Sequence, residues 1–295
     1  MATFETSLKS RLIYVFAIPD EWHKDCLKVG ETTLEEDDGN FPLPNSEVLN
    51  KAACDRIDQY TKTAGIAYNL LHTEMTVFFK GGTISSFNDK QVHSVLERSG
   101  VKKKTFDTVK GANEWFCCDL ETVKKAIHAV KNGRNSLNAS DISYTQTPII
   151  FRPEQQAAID KTKKQFKKGA QMLWNAKMRF GKTLCALRVA RDLEMRRTII
   201  LTHRPVVDES WFEDFGKIFY DRTDYHYGSR TKGEDFTSLE RLAKKGDRYV
   251  YFASMQDMRG AQLVGGKFDK NNEVFSTDWD FLIVDEAHEG TRTEL

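Results

Sequence analysis

The residues best equipped for chemistry run from 176 to 183, Ala-Lys-Met-Arg-Phe-Gly-Lys-Thr. Ala176, four intervening residues and then Gly181-Lys182-Thr183 fit the pattern of a loop that wraps a polyphosphate. Backbone N–H groups of such a loop, and of the helix it opens, cradle phosphate oxygens. Lys182 reaches the terminal phosphates and Thr183 ligates Mg²⁺. Gly181 lets the chain pass close to the anion, and Arg179 and Phe180 line the same loop. About a hundred residues on, "FLIVDEAH" closes an apolar run with two adjacent carboxylates, Asp285 and Glu286. Asp285 there can hold Mg²⁺ through water, and Glu286 can orient an attacking water. Taken singly, the first stretch also reads as an ordinary strand-to-helix turn and the second as an exposed acidic turn. Their order and separation favour one nucleotide site.

These groups need a scaffold. At 295 residues, with 40% hydrophobic and 29% charged, the chain has the material for about two domains of ordinary globular type. No apolar run reaches the ~18 residues of a membrane span, and the opening residues do not form a signal peptide, so a cytoplasmic protein without a membrane partner is expected. A formal net charge of +1 means that any nucleic-acid surface must be local. The five cysteines lack metal-ligand spacing, and their odd number argues for reduced thiols, with Cys117 and Cys118 in a strand.

The polar stretch "KNGRNSLNASDISYTQT" marks a linker at 131–148 between a domain at 1–130 and another at 149–295. The fold class is α/β throughout. The first domain reads as a small mixed sheet, with strands over "RLIYVFAI", "CLKVGETT", "AYNLLHTEMTVFFK" and near "EWFCCD", and helices beginning near Ser46, Asn88 and Glu121. "EEDDGN" reads as a solvated loop. In the second domain the runs "QMLWNA", "RTIILT", "RYVYFAS" and "DFLIVDE" alternate with helical segments. That pattern suits parallel strands buried on both faces.

With these motifs in view, the chain from about residue 150 resembles the first RecA-like domain of a superfamily 2 DEAD/DEAH-type helicase, near the restriction-type translocases. Asp-Glu-Ala-His at 285–288 resembles that family's Walker B motif. Phe151-Arg152-Pro153-Glu154-Gln155 resembles its Q motif, which implies that Arg152 and Gln155 serve the nucleotide, with Gln155 at the adenine edge. "ILTHRPVVDESW" resembles motif Ia and implies that Thr202, His203 and Arg204 lie near a DNA backbone. Ser254 and Gln256 in "YFASMQDM" are weaker strand-tracking candidates. The resemblance implies ATP and Mg²⁺ as cofactors and DNA as partner. Arg179 and Phe180 depart from the smaller residues usual in such loops. Motif III, the second RecA-like domain and its arginine finger are not found before Leu295, so weak hydrolysis by a piece of a longer motor is expected.

The front of the chain resembles the GIY-YIG endonucleases. "LIYVFAI" and "CLKVGETT" resemble the paired motif strands, with Tyr14 in the first and Lys28 and Gly30 in the second, where Lys replaces the more usual Tyr. Arg56 matches the family's catalytic arginine, Asp89 stands where a glutamate is usual, and "NEWF" at 113–116 resembles the closing strand. The resemblance implies that Tyr14 or Lys28 positions water, Arg56 supplies positive charge and Asp89 binds metal, with His93 one helical turn beyond it. Tyr14 as a core residue, Arg56 as a surface ion pair and His93 as a satisfied helix histidine remain open. The expected activity is DNA cleavage joined to an ATP-driven motor, in processing or restriction of foreign DNA. The alternatives are a non-catalytic DNA-binding or interaction module on an ATP-binding domain, and a motor whose front domain only recruits substrate.

Overall fold

The computed structural model describes residues 10–34, 41–106, 114–141, 149–177, 179–259, 261, 265, 267 and 271–285. The acidic stretch 35–40 and residues 286–288 of the Asp-Glu-Ala-His motif, Glu286 among them, lie outside the described residues. The chain forms two compact units, Met1–Arg134 and Asn135–Leu295.

The first unit is built from β1 (Arg11–Ala17), β2 (Leu27–Thr33), α1 (Glu47–Thr61), β3 (Asn69–Met75), β4 (Val77–Lys80), β5 (Thr83–Ser86), α2 (Asp89–Arg98), β6 (Trp115–Phe116) and α3 (Leu120–Lys131). Its main sheet has the order β3-β1-β2-β6. The expected mixed sheet is corrected here, because every pairing is antiparallel. Helix α1 carries the chain from β2 past the central β1. Strand β3 therefore runs in the direction of β2 yet bonds only to β1.

The run 67–80, expected as one strand, breaks at Thr76, whose N–H and hydroxyl both donate to the Arg11 carbonyl. Beyond the break, β4 pairs with β5 across Gly81-Gly82, both at positive φ. Alternation along β1 turns Leu12, Tyr14 and Phe16 toward Leu49, Ala53 and Ile57 of α1 in one apolar cluster. Each such aliphatic side chain, fully buried, contributes about 1.5–3 kcal/mol. Asn88 caps α2 reciprocally with Gln91, which fixes Asp89 as the first helical residue.

The second unit comprises α4 (Pro153–Gln165), α5 (Lys182–Asp192), β7 (Arg197–Thr202), α6 (Asp208–Phe219), β8 (Tyr225–Gly228), α7 (Phe236–Ala243), β9 (Arg248–Ser254), α8 (Met255–Met258), α9 (Asn272–Ser276) and β10 (Phe281–Asp285). Its strands are parallel in the order β10-β7-β9-β8, as strand–helix alternation requires. Strand β8 went unread in the sequence. Conversely, "QMLWNA" is not a strand; residues 171–177 are irregular and Leu173 is exposed. Among the described residues β10 is an edge of the sheet, and its Leu282 and Val284 are half exposed.

The polar stretch expected as a linker at 131–148 is structured over its first residues. Lys131 still belongs to α3. Asn135 and Ser136 donate their backbone N–H groups to the buried Glu234 carboxylate at 2.9 and 3.2 Å, and Leu137 is buried. Both partners of those bonds belong to the second unit.

Candidate functional site

In the second unit, the polyphosphate-loop residues gather at the start of α5. Gly181 occupies the N-cap position at φ 86°, a left-handed backbone, and no side chain caps the helix. Its first-turn N–H groups are therefore left to meet an anion. Arg179 also has positive φ, at 61°. Lys182 and Thr183 follow in the first turn, both half-buried, after an exposed Arg179 and a half-buried Phe180. Ala176 is half-buried in the irregular segment before them.

The loop is gripped from α4. The Gln155 side-chain amide donates to the Phe180 carbonyl at 2.7 Å, and Arg152 donates to the same oxygen at 2.9 Å. A Cβ at position 181 would fall 2.6 Å from Gln155 Nε2 and displace that amide, and the left-handed backbone favours glycine. The other end of the Gln155 amide accepts the Arg152 N–H at 2.8 Å. Gln155, expected at an adenine edge, thus has both polar ends engaged by protein and works here as a brace between α4 and the loop.

The strand ends bring a second group together. Asp285 pairs in register with Thr202, and Thr202 with Ser254. Three residues from three separate motifs therefore form one row across the C-terminal edge of the sheet. Only residues 193–196 join α5 to β7, and Ala186 and Leu187 of α5 share an apolar cluster with Ile200 of β7. The carboxyl ends of parallel strands are where such sheets hold ligands.

The residues expected near DNA divide. Arg204 and Gln256 are exposed and His203 half-buried. Thr202 and Ser254 are buried. Ser254 caps α8, accepting from the Asp257 N–H and donating to its carboxylate. Burial and capping account for both residues without DNA.

In the first unit, Tyr14 is buried and lies in register opposite Gly30. A Cβ at position 30 would sit 2.6 Å from the Tyr14 hydroxyl, so the glycine makes room for the ring. Burial raises the Tyr14 pKa, opposed by the neighbouring Tyr60 hydroxyl and Arg56. Burial and the Tyr14 hydroxyl push Tyr60 well above the ordinary phenol range. Lys28 lies on the same face. Its ammonium sits 4.5 Å from the centre of the Tyr60 ring and 3.3 Å from Glu114. Arg56 is exposed, with one guanidinium N–H donated to Gln59 at 2.6 Å. Tyr14, Lys28 and Arg56 therefore come together around Tyr60, which follows Arg56 by one helical turn.

Asp89 stands apart from this group. At the start of α2, on the opposite side of the sheet, its backbone N–H donates to Glu31 at 3.3 Å. Burial first, then the Glu31 charge, raises its carboxyl pKa. Glu114, beside the edge strand β6, acts electrostatically on Tyr14, Tyr60 and Asp89 alike. His93 is buried, its Nε2 2.8 Å from the Val29 carbonyl and its ring packed on Phe116. It is a satisfied core histidine. Sequence reasoning passed over Tyr60, Glu31 and Glu114. The signals were the spacing of four from Arg56 and the adjacency of Glu31 to Gly30.

No set of three or more metal-capable side chains occurs among the described residues. Asp89 and Glu31 lie close together, with Glu31 also ion-paired to Arg11 at 2.8 Å.

Residues 148–294 match the family model described as the res subunit of type III restriction enzymes. A Mycoplasma pneumoniae (strain ATCC 29342 / M129 / Subtype 1) protein, named as the C-terminus of a candidate type II restriction enzyme and methyltransferase, is 30% identical over 155 residues. The aligned part is 49% of this chain and 21% of that protein, so the chain spans about a fifth of its relative's length. The second unit is thus a helicase-like domain of the restriction type. No helix among the described residues is long and apolar enough to cross a membrane.

Proposed function

We propose that the second unit binds ATP with Mg²⁺ and serves a DNA-restriction system as its motor, and that the first unit is a GIY-YIG-like nuclease acting on the same DNA. The observation that carries the motor reading is the uncapped start of α5, with a left-handed glycine at its N-cap, in a unit whose Asp285, Thr202 and Ser254 form one row across the strand ends. The match to the restriction res-subunit family supports it. Lys182 and the α5 N–H groups hold the phosphates, Thr183 and Asp285 hold the metal, and Glu286 orients water. Bound Mg²⁺ supplies neutralisation of phosphate charge. Arg152 and Gln155 keep the loop in its binding shape through the Phe180 carbonyl.

The nuclease reading is supported by the convergence of Tyr14, Lys28 and Arg56 around Tyr60; Asp89 and Glu31 lie by the other face of the sheet. Lys28 and Arg56 offset phosphate charge, and the buried Tyr14 hydroxyl orients a water. Asp89 and Glu31 hold a divalent cation, whose chemistry is to polarise the phosphate.

Two measurements test these readings separately. Calorimetry with ATP and Mg²⁺ is expected to give saturable binding that Lys182→Ala weakens by about 100-fold or more; equal affinity for wild type and variant would refute the nucleotide site. Incubation with duplex, single-stranded and branched DNA is expected to give cleavage only with divalent metal, and Asp89→Ala is expected to remove it. DNA that stays intact with wild type under all these conditions would favour a front unit that binds without cutting.

A further inference from the structure

Two thiols meet at the edge of the first unit's sheet. The β2–β6 ladder pairs Leu27 with Phe116 and Lys28 with Trp115. One step further along that register sets Cys26 against Cys117, and their Sγ atoms lie 3.0 Å apart. The sequence places these residues 91 positions apart and offers no sign of the contact. Cys117 was expected within a strand, but it lies in a bend just beyond β6. Both backbones are anchored: the Cys26 N–H donates to the His23 carbonyl at 3.1 Å and the Cys117 N–H to the Lys102 carbonyl at 2.8 Å. Cys26 is buried and Cys117 is exposed. The described residues contain no set of three metal-capable side chains, so the pair suits thiol–disulfide chemistry better than metal binding.

We propose that Cys26 and Cys117 are an oxidation site that closes to a reversible cross-strand disulfide on exposure to a hydroperoxide. The inference stands on the sheet register and the thiol contact, and is independent of the nucleotide and nuclease readings. The exposed Cys117, as thiolate, attacks a peroxide oxygen. The O–O bond breaks, hydroxide leaves and takes up a proton, and a sulfenic acid remains. Cys26 sulfur then attacks the Cys117 sulfur, the S–O bond breaks, and the departing oxygen leaves as water with the Cys26 proton. Two thiols and one hydrogen peroxide thus become one disulfide and two waters, with sulfur oxidised and peroxide reduced. Burial and the adjacent thiol push Cys26 up to about 12, which suits it to resolving rather than to first attack. Closure brings the sulfurs from 3.0 Å to a bond of about 2.05 Å. The bridge brackets the Lys28–Glu114 ion pair, with Cys26 two residues before Lys28 and Cys117 three after Glu114.

The test uses the reduced full chain and one equivalent of hydrogen peroxide, followed by denaturation, alkylation and peptide mass mapping. Two of the five thiols are expected to disappear into a peptide pair joined through Cys26 and Cys117, restored by dithiothreitol. The oxidised chain is expected to unfold about 5 °C or more higher than the reduced one. Cys117→Ser, at an exposed position that leaves the core intact, is expected to abolish the thiol loss, whereas Cys54→Ser leaves it unchanged. Five alkylatable thiols after peroxide would overturn the proposal. So would cross-links that map to Cys118 or to a second chain, or a stoichiometric zinc ion retained through Cys26 and Cys117.

Discussion

Tyr14 and Gly30 show how single residues constrain the front unit. The two face each other across β1 and β2, and the ring occupies the space that any side chain at position 30 would need. Gly30→Ala is therefore expected to destabilise the first unit by about 1–3 kcal/mol through overpacking. Urea unfolding monitored by tryptophan fluorescence checks this, and an unchanged midpoint would count against the packing argument. The same logic separates Gly181 from an ordinary helix start. Its left-handed backbone disfavours a Cβ, and a Cβ there would press on the Gln155 amide that holds the Phe180 carbonyl. His93 is the opposite case. Its spacing from Asp89 suggested a catalytic pair, but its bond to the Val29 carbonyl and its burial make it part of the core.

At the scale of elements, the second unit is tied by charge as well as by apolar packing. Arg222, just before β8, donates to Asp224 and to Glu194 in the turn between α5 and β7, and Arg248 at the start of β9 reaches both carboxylates. The Arg222 hydrogen bond is the main cause that holds the Asp224 carboxyl down to about 2. A carboxyl whose folded pKa is depressed adds stability above its unfolded value of about 3.9, and that stability is lost as pH falls toward the folded value. Unfolding of the second unit is accordingly expected to become easier between about pH 4 and pH 2. Asp224→Asn should flatten that part of the profile while lowering stability at neutral pH. Thermal unfolding of both proteins across that range is the check, and parallel profiles would exclude Asp224 as a source of the acid sensitivity.

For the molecule as a whole, the division between its two units falls at Arg134 and Asn135, so part of the polar stretch read as a linker is structural. Glu234 is buried and accepts the N–H groups of Asn135 and Ser136. Leu137 is buried, and Asn138 bonds to His226. A second unit expressed from residue 135 is thus expected to be more stable than one expressed from residue 149, by about 2 kcal/mol or more. Removing 135–148 takes the buried Leu137 out of the core and the Asn135 and Ser136 N–H groups away from the buried Glu234 carboxylate. Denaturant midpoints of the two fragments measure the difference, and equal values would return this stretch to the role of a tether.

Local order and chain periodicity determined much by themselves. The apolar runs of β7 and β9 were legible because a parallel strand buried on both faces must be almost continuously hydrophobic. The helix start at Lys182 was legible because Gly-Lys-Thr after a turn has few other uses. What required the tertiary structure were the contacts between residues distant in sequence. The Asp285–Thr202–Ser254 row depends on which strands become neighbours, and the brace from Gln155 to Phe180 depends on how α4 meets the loop. The separation of Asp89 from Tyr14 follows from strand alternation, which sends adjacent residues Gly30 and Glu31 to opposite faces of one sheet. The irregular path of 171–177 has the same origin: hydrophobic residues there favour a strand, but a strand forms only where a neighbour supplies the other half of its hydrogen bonds.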